Sequence, residues 1–281
     1  MMQTVLAEYL RARVVSAGYA YQLTLTVESF ASFLGRAATK VDLNRDTVND
    51  WLLSLEQAGT SPRTLRGQRG NLLALWRDAG DADLSIKPPH KIRCVPIPDQ
   101  IIDGFSGDDM RLILKACDQL HGTFRGTDVR RREYFRAFVL FDWDTGLRLG
   151  DVLSVERDWV WPGGFISIVQ SKTGEAIRKQ LQPATVAAIA EHLAGNDRRL
   201  IWPLWGRREA FFDAFRALVQ KAGLRGGTSK WIRRGSATAV EIIKPGSASK
   251  HLGHKTAGLA ERHYLIKRLL PSDAPMPPSL A

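Results

Sequence analysis

Apolar residues recur at helical spacing through roughly the first ninety positions. Leu6, Tyr9, Leu10 and Val14 share one face, which predicts a short amphipathic helix at the start of the chain. A second helix is predicted over 21–34, with Leu25, Phe30 and Phe33 among its apolar positions and Gly35 just past its end. Asn44-Arg-Asp46 reads as a capped start for a helix carrying Val48, Trp51, Leu52 and Leu55. Gly59-Thr-Ser-Pro62 reads as a turn with Ser61 as the cap and Pro62 in the first helical position. The helix after it holds Leu65, Leu72, Leu73, Leu75 and Trp76, and sets Arg63, Arg66 and Arg69 on its polar positions. Those arginines fit either a solvated face or a basic helix laid along a DNA groove.

The pattern breaks at residues 85–98. Lys87-Pro-Pro-His90 and Val95-Pro-Ile-Pro98 cannot sustain a helix or a sheet interior, because proline lacks the donor and restricts its predecessor. A linker is therefore expected over 87–100, with Lys87, Lys91 and Arg93 available to touch phosphates. Beyond it, Ser106 and Asp109 form a capping-box start for a helix reaching about 120. Another helix is expected over 131–143. Phe165-Ile-Ser-Ile-Val169 alternates and is β-branched, so a strand is predicted, followed by the turn Ser171-Lys-Thr-Gly174 and a return strand over 176–181. Helices are predicted over 183–193, 207–222, 229–243 and 259–270. The proline-rich tail, 271–281, is expected to be loosely held. The whole is mainly α: a helical domain over 1–86, the linker, and a mostly helical mixed α/β domain over 101–270 with a small antiparallel sheet.

Composition sharpens this. The 281 residues are 44% hydrophobic and 25% charged, which is ordinary for a globular protein with a sizeable core. The net charge of +11 is not ordinary. It favours polyanionic partners, because each Lys or Arg that meets a phosphate releases condensed counterions. The basic residues are distributed, with Arg130-Arg-Arg132 the densest run, which suits a protein that wraps a duplex. Two cysteines, Cys94 and Cys117, suggest neither a disulfide framework nor a thiolate metal site. Residues 1–15 interrupt their apolar pattern with Glu8, Arg11 and Arg13, unlike a signal peptide. No apolar run approaches the ~20 residues needed to span a bilayer. A cytoplasmic protein of a prokaryote or its virus is expected, with no membrane partner.

The sequence contains no phosphate-binding glycine loop and no H-E-x-x-H. His251, His254 and His263 are too few and too irregular for a zinc site to be expected, and no cofactor is expected. Phosphodiester chemistry without a metal needs a nucleophile, fixed positive charge for the non-bridging oxygens, and a proton for the leaving oxygen. Arginine suits the second task, since its planar fork meets two oxygens and keeps its charge. Thr145-Gly-Leu-Arg148 places an arginine at a turn, with Asp151 three positions later. Lys172 sits in the S-K-T-G hairpin turn, Lys230-Trp-Ile-Arg233-Arg234 follows, then Leu252-Gly-His254, then Tyr264. In order and approximate spacing these elements resemble the tyrosine recombinases, the family of phage integrases, Xer recombinases and Cre.

The resemblance implies a SAM-like core-binding domain before a catalytic domain, and a site-specific recombinase that works on double-stranded DNA as a tetramer on paired sites, monomeric when free. It implies that Arg148 and Arg233 clamp the scissile phosphate, that His254 donates to it, that Lys172 protonates the departing 5′ oxygen, and that Tyr264 attacks to give a 3′-phosphotyrosyl link. Asp151 would orient part of the site, and Arg234 would add a DNA contact. Two departures stand out. Lys230 occupies the position where the family carries His, and is expected to supply charge rather than accept a proton, since its ordinary pKa is about 10.4. Tyr264 lies ten positions after His254 (264 − 254 = 10), where nine is usual. Two rivals stay open: an inactive DNA-binding protein that keeps the fold, and a relaxing topoisomerase. Residues 265–270 could pack on a neighbouring protomer or close their own core.

Overall fold

A computed structural model describes residues 1–256 and 258–271. The predicted tail, from 272 on, lies outside the described residues. The chain divides into two compact units, Met1–Asp99 and Gln100–Ala281.

The first unit is helical: α1 (Met2–Ala12), α2 (Ala17–Leu34), α3 (Arg45–Gln57) and α4 (Pro62–Ala82). Asn44 and Ser61 accept from the backbone N–H three residues on, so both predicted caps form. The second helix starts four residues before the predicted 21, because Ser16 caps it by accepting from the Tyr19 N–H; the weakly apolar Ala17-Gly18 start hides it from periodicity. Leu23, Phe30, Trp51, Leu52, Leu72 and Trp76 form the core. Phe30 meets Trp51 edge-on, ring centroids 5.4 Å apart.

The proline segment is extended but is not a free linker over its first half. The Trp76 indole donates to the Lys87 carbonyl (2.8 Å), and the Arg69 guanidinium donates to the carbonyls of Ile92 (3.1 Å) and Arg93 (2.7 Å). Asn49 accepts from the Arg93 N–H (2.8 Å), and Ile92 and Val95 are buried. Proline removes donors but leaves every carbonyl available, so an extended strap can dock mostly through acceptors.

The second unit contains α5 (Gly107–Cys117), α6 (Arg131–Thr145), α7 (Leu149–Leu153), β1 (Val160–Trp161), β2 (Phe165–Val169), β3 (Ala176–Gln180), α8 (Pro183–Leu193), α9 (Arg208–Lys221), α10 (Ser229–Ile243), α11 (Ala248–His251) and α12 (Gly258–His263). The strands form one antiparallel sheet in the order β1-β2-β3. The capping box at Ser106 and Asp109 is present. Its helix stops at Cys117 rather than near 120, where Gln119 and Leu120 turn back onto the carbonyls of Ala116 and Cys117. Gly146, left-handed at φ 56°, ends α6 two residues beyond the predicted 143.

Two features fix the site's frame. Helix α10 lies so close to the segment before α5 that a Cβ on Gly235 would sit 1.9 Å from the Phe105 carbonyl oxygen and 2.9 Å from the Trp143 ring. The predicted helix over 259–270 is broken. After α12 the N–H groups of Tyr264 and Leu265 both donate to the Ala260 carbonyl, and the Ile266 N–H leaves the helix for Thr238 Oγ (3.0 Å). Leu265 and Ile266 are both buried beyond the break. Leu265 joins a small cluster with Ala237, Ala248, Leu252 and Ala260, so this segment closes its own core. No helix among the described residues is long and apolar enough to cross a membrane.

Candidate active site

Four chain segments meet beside the carboxyl end of α6. Gly146 turns the chain there, and Arg148 follows at the mouth of α7, half-buried. Its guanidinium donates to Gln170 Oε1 (2.8 Å) at the end of β2. Gln170 is fully buried, and its amide donates to the Leu252 carbonyl (3.0 Å). Arg233, on α10, is only 2% exposed. It donates to the Gly146 carbonyl, to the Leu252 carbonyl (3.3 Å) and to His254 Nε2 (3.1 Å). The two arginines are thus held in one frame: Gln170, which accepts from Arg148, and Arg233 both donate to the Leu252 carbonyl.

An arginine can only donate, so His254 Nε2 must accept and Nδ1 carries the proton. Burial first, then the charges of Arg233, Arg148 and His263, push the His254 imidazole down to about 4, so the ring is neutral at neutral pH. His254 Nδ1 and Arg233 Nε have no hydrogen-bond partner among the described residues. Gly253 is left-handed at φ 64°, and a Cβ there would lie 2.8 Å from Gln170 Nε2, so the L-G-H turn requires glycine.

Tyr264 reaches this group despite its extra residue. Its ring lies 4.8 Å from the Arg233 guanidinium carbon and 5.0 Å, centroid to centroid, from the His254 ring. Burial works to raise the phenol's pKa. The charges of Arg233 and Arg148, a hydrogen bond from Arg233 and the charge of Lys230 outweigh it, and the net direction is downward. A phenol held toward its phenolate is a better nucleophile. Arg233 in turn is pulled down by burial, against the opposing pull of Tyr264.

The remaining predicted residues fall into two groups. Lys230 is exposed on the first turn of α10, near enough for its charge to act on Tyr264. Asp151 is buried and accepts from the N–H (2.9 Å) and hydroxyl (2.6 Å) of Ser171, which roots the hairpin turn. Lys172 stands at that exposed turn. Arg234 points the other way, donating to the Asp103 carbonyl (2.7 Å). In the first unit Arg63, Arg66, Lys87 and Lys91 are exposed, whereas Arg69 holds the proline strap and Arg93 pairs with Glu56.

Sequence reasoning missed Gln170 as the bridge between Arg148 and the L-G-H turn. The signal was present: Ile166, Ile168 and Gln170 share the inward face of β2. No group of three His, Cys, Asp or Glu side chains among the described residues could hold a metal ion.

No family model and no curated protein matches the sequence. Solved structures do. A lambda integrase tetramer bound to a Holliday junction superposes with a TM-score of 0.76 at 18% identity, covering 98% of this chain and 79% of that one. The XerH site-specific recombinase, in a post-cleavage complex with its difH substrate, gives 0.68 at 14% identity, covering 86% and 74%. The Tn1549 transposon integrase in complex with circular intermediate DNA gives 0.66 at 14% identity, covering 93% and 94%. The chain has the tyrosine recombinase fold.

Proposed function

We propose that this protein is a site-specific DNA recombinase that cuts and rejoins strands through Tyr264. The observation that carries this is the packing of the Tyr264 ring against both Arg233 and His254, with Arg148 tied into the same frame. The Tyr264 phenol gives its proton to solvent as its oxygen attacks phosphorus, the bond to the 5′ oxygen breaks, and a 3′-phosphotyrosyl link forms. Arg148 and Arg233 stabilise charge on the non-bridging oxygens. The Nδ1–H of His254 donates to the same phosphate, and Lys172 supplies the proton to the 5′ oxygen. The 5′ hydroxyl of a second strand then reverses the step. The covalent link conserves the phosphodiester's energy, so no nucleotide is consumed. The net charge of +11 suits a duplex partner. The lambda integrase neighbour is a tetramer on a Holliday junction, which supports a tetramer on paired sites here. DNA as substrate agrees with work in the cytoplasm.

The test is covalent capture from a pool of nicked duplexes of randomised sequence. Wild type is expected to form a denaturant-resistant adduct at a 3′ phosphate, and Tyr264→Phe to form none. DNA binding without any adduct from the pool would leave a DNA-binding protein on a recombinase fold. Sequence-independent relaxation of supercoils would point instead to a topoisomerase.

A further inference from the structure

Strand β3 carries a lysine where its pattern calls for an apolar residue. Pairing sets Ile166 opposite Lys179 and Ile168 opposite Ile177, so Lys179 points to the same buried face as the two isoleucines of β2. Its ammonium meets a single residue twice, donating to the His251 carbonyl and lying 3.3 Å from His251 Nδ1. The other ring nitrogen, Nε2, lies 2.7 Å from Ser236 Oγ, and that hydroxyl gives its own hydrogen to the Trp143 carbonyl. Ser236 must therefore accept from Nε2, which leaves the Nδ1 lone pair facing Lys179. One directed chain runs from Lys179 through His251 and Ser236 to Trp143, and it joins β3, α11, α10 and α6.

His251 directly precedes Leu252, whose carbonyl takes both Gln170 and Arg233, and it lies three residues before His254. Gly146, which accepts from Arg233, touches the same ring: a Cβ there would be 2.7 Å from His251 Nε2. We propose that Lys179 and His251 are positioning residues for the strand transfer proposed above, fixing the turn that presents His254 and brackets Arg233. The inference rests on that function.

The pair is also poised to titrate. Burial, then the charge of Arg233, lowers the Lys179 ammonium to about 8. Burial, then Lys179 and Arg233, lowers His251 to about 3. The groups facing Lys179 are Arg233 on α10 and His251 on α11. Glu175, Arg178, Lys250 and His254 line the same cavity, where Glu175 is paired with Lys255 and Arg178 stacks on Phe165. On α6 the buried Asp142 carboxyl faces Arg233 and is raised well above its ordinary value by burial, against the opposing pull of Arg233. An inward lysine on an edge strand can also serve only to guard that edge against pairing, so the test must separate positioning from protection.

The full-length double variant Lys179→Met, His251→Leu replaces the buried polar pair by apolar residues of similar size, a change often neutral or stabilising. Adduct formation on saturating nicked duplex would be followed in single turnover from pH 6.5 to 9.5, alongside DNA affinity and melting. The expected result is unchanged affinity and a rate at least about tenfold lower. Wild type should lose rate near pH 8 as Lys179 gives up its proton, and the variant should lack that limb. Lys179→Arg, which keeps its charge throughout, should move the limb out of range. A double variant with wild-type rate and limb, or a Lys179→Arg limb left in place, overturns the proposal. Should the double variant not fold, Lys179→Arg decides alone. If wild type forms no adduct at any pH, the recombinase function falls and this inference with it; a normal wild type beside indifferent variants defeats the pair only.

Discussion

Among the described residues, Met1–Asp99 buries the polar side chains of Thr26 and Asp42, whereas the second unit buries Asp142, Asp151, Gln170, His192, Arg233 and Ser236, with others. The two in the first unit are both paired and uncoupled from any charge cluster. Thr26 bonds the Gln22 carbonyl within α2 and accepts from Asn71 on α4, and Asp42 pairs with Arg36 and caps at Thr39. In the second unit Asp151, Gln170 and Ser236 bond elements distant in sequence, and Gln170 and Arg233 meet at the Leu252 carbonyl. Burying polar groups lowers stability unless each is paired. Their concentration in one unit marks where the fold gives up stability for a defined charge arrangement.

The sharpest break in that contrast is Tyr264→Phe. It removes one oxygen and is expected to cut adduct formation at least about 10⁴-fold, measured on nicked duplex, with little change in melting. A surviving adduct would move the nucleophile elsewhere. Next, Trp51→Ala should destabilise the first unit by about 3–5 kcal/mol. Calorimetry should then show two transitions, with the second unit's unchanged. Arg148→Ala follows, with adduct formation slowed about 10²–10³-fold. Its side chain is only half-buried, so chemical denaturation should shift far less than the rate does.

Acid separates the units more gently. His251 and His254 are held down to about 3 and about 4 in the fold, with burial the main cause, and burial lowers His192 too. The unfolded chain binds protons at about pH 6.5 that these residues refuse, so the histidines take stability from the second unit as pH falls below that value, while the buried carboxyls of Asp142 and Asp144, raised by burial, offset part of the loss. In the first unit Asp42 is held to about 2, chiefly by its bond from Arg36. Its contribution is present above the unfolded carboxylate value and fades only below about pH 4. Urea midpoints followed from pH 7 to 3 should therefore fall first in the second unit. A simultaneous fall would remove the distinction. The smallest effect is expected from Arg63→Ala with Arg66→Ala: the slope of log affinity against log salt should drop by about 0.9 for each phosphate no longer neutralised, with the adduct rate at saturation unchanged.

Much of the framework was legible in the chain. Period and caps located α3 and α4, alternation located β2, and the order of Arg148, Lys172, Arg233, His254 and Tyr264 pointed to the fold. What escaped has physical causes. Gln170 continues the inward alternation of Ile166 and Ile168 but is polar, and the inward position of Lys179 is known only once its register with β2 is known. The break after His263 escaped because Leu265 and Ile266 continue an apolar run that a helix could also use. The strap over 87–95 escaped because proline announces what a segment cannot form, while its docking depends on Trp76 and Arg69 finding its carbonyls.

Gly235 carries a consequence for anyone who would re-engineer the protein. It sits two residues after Arg233, where α10 presses on the Phe105 carbonyl with no room for a single added carbon. A library that varied α10 freely would lose its members at this position before any altered specificity could be seen. Diversity belongs instead on the exposed turns of α4, where side chains can change without moving the helix that aims the guanidinium.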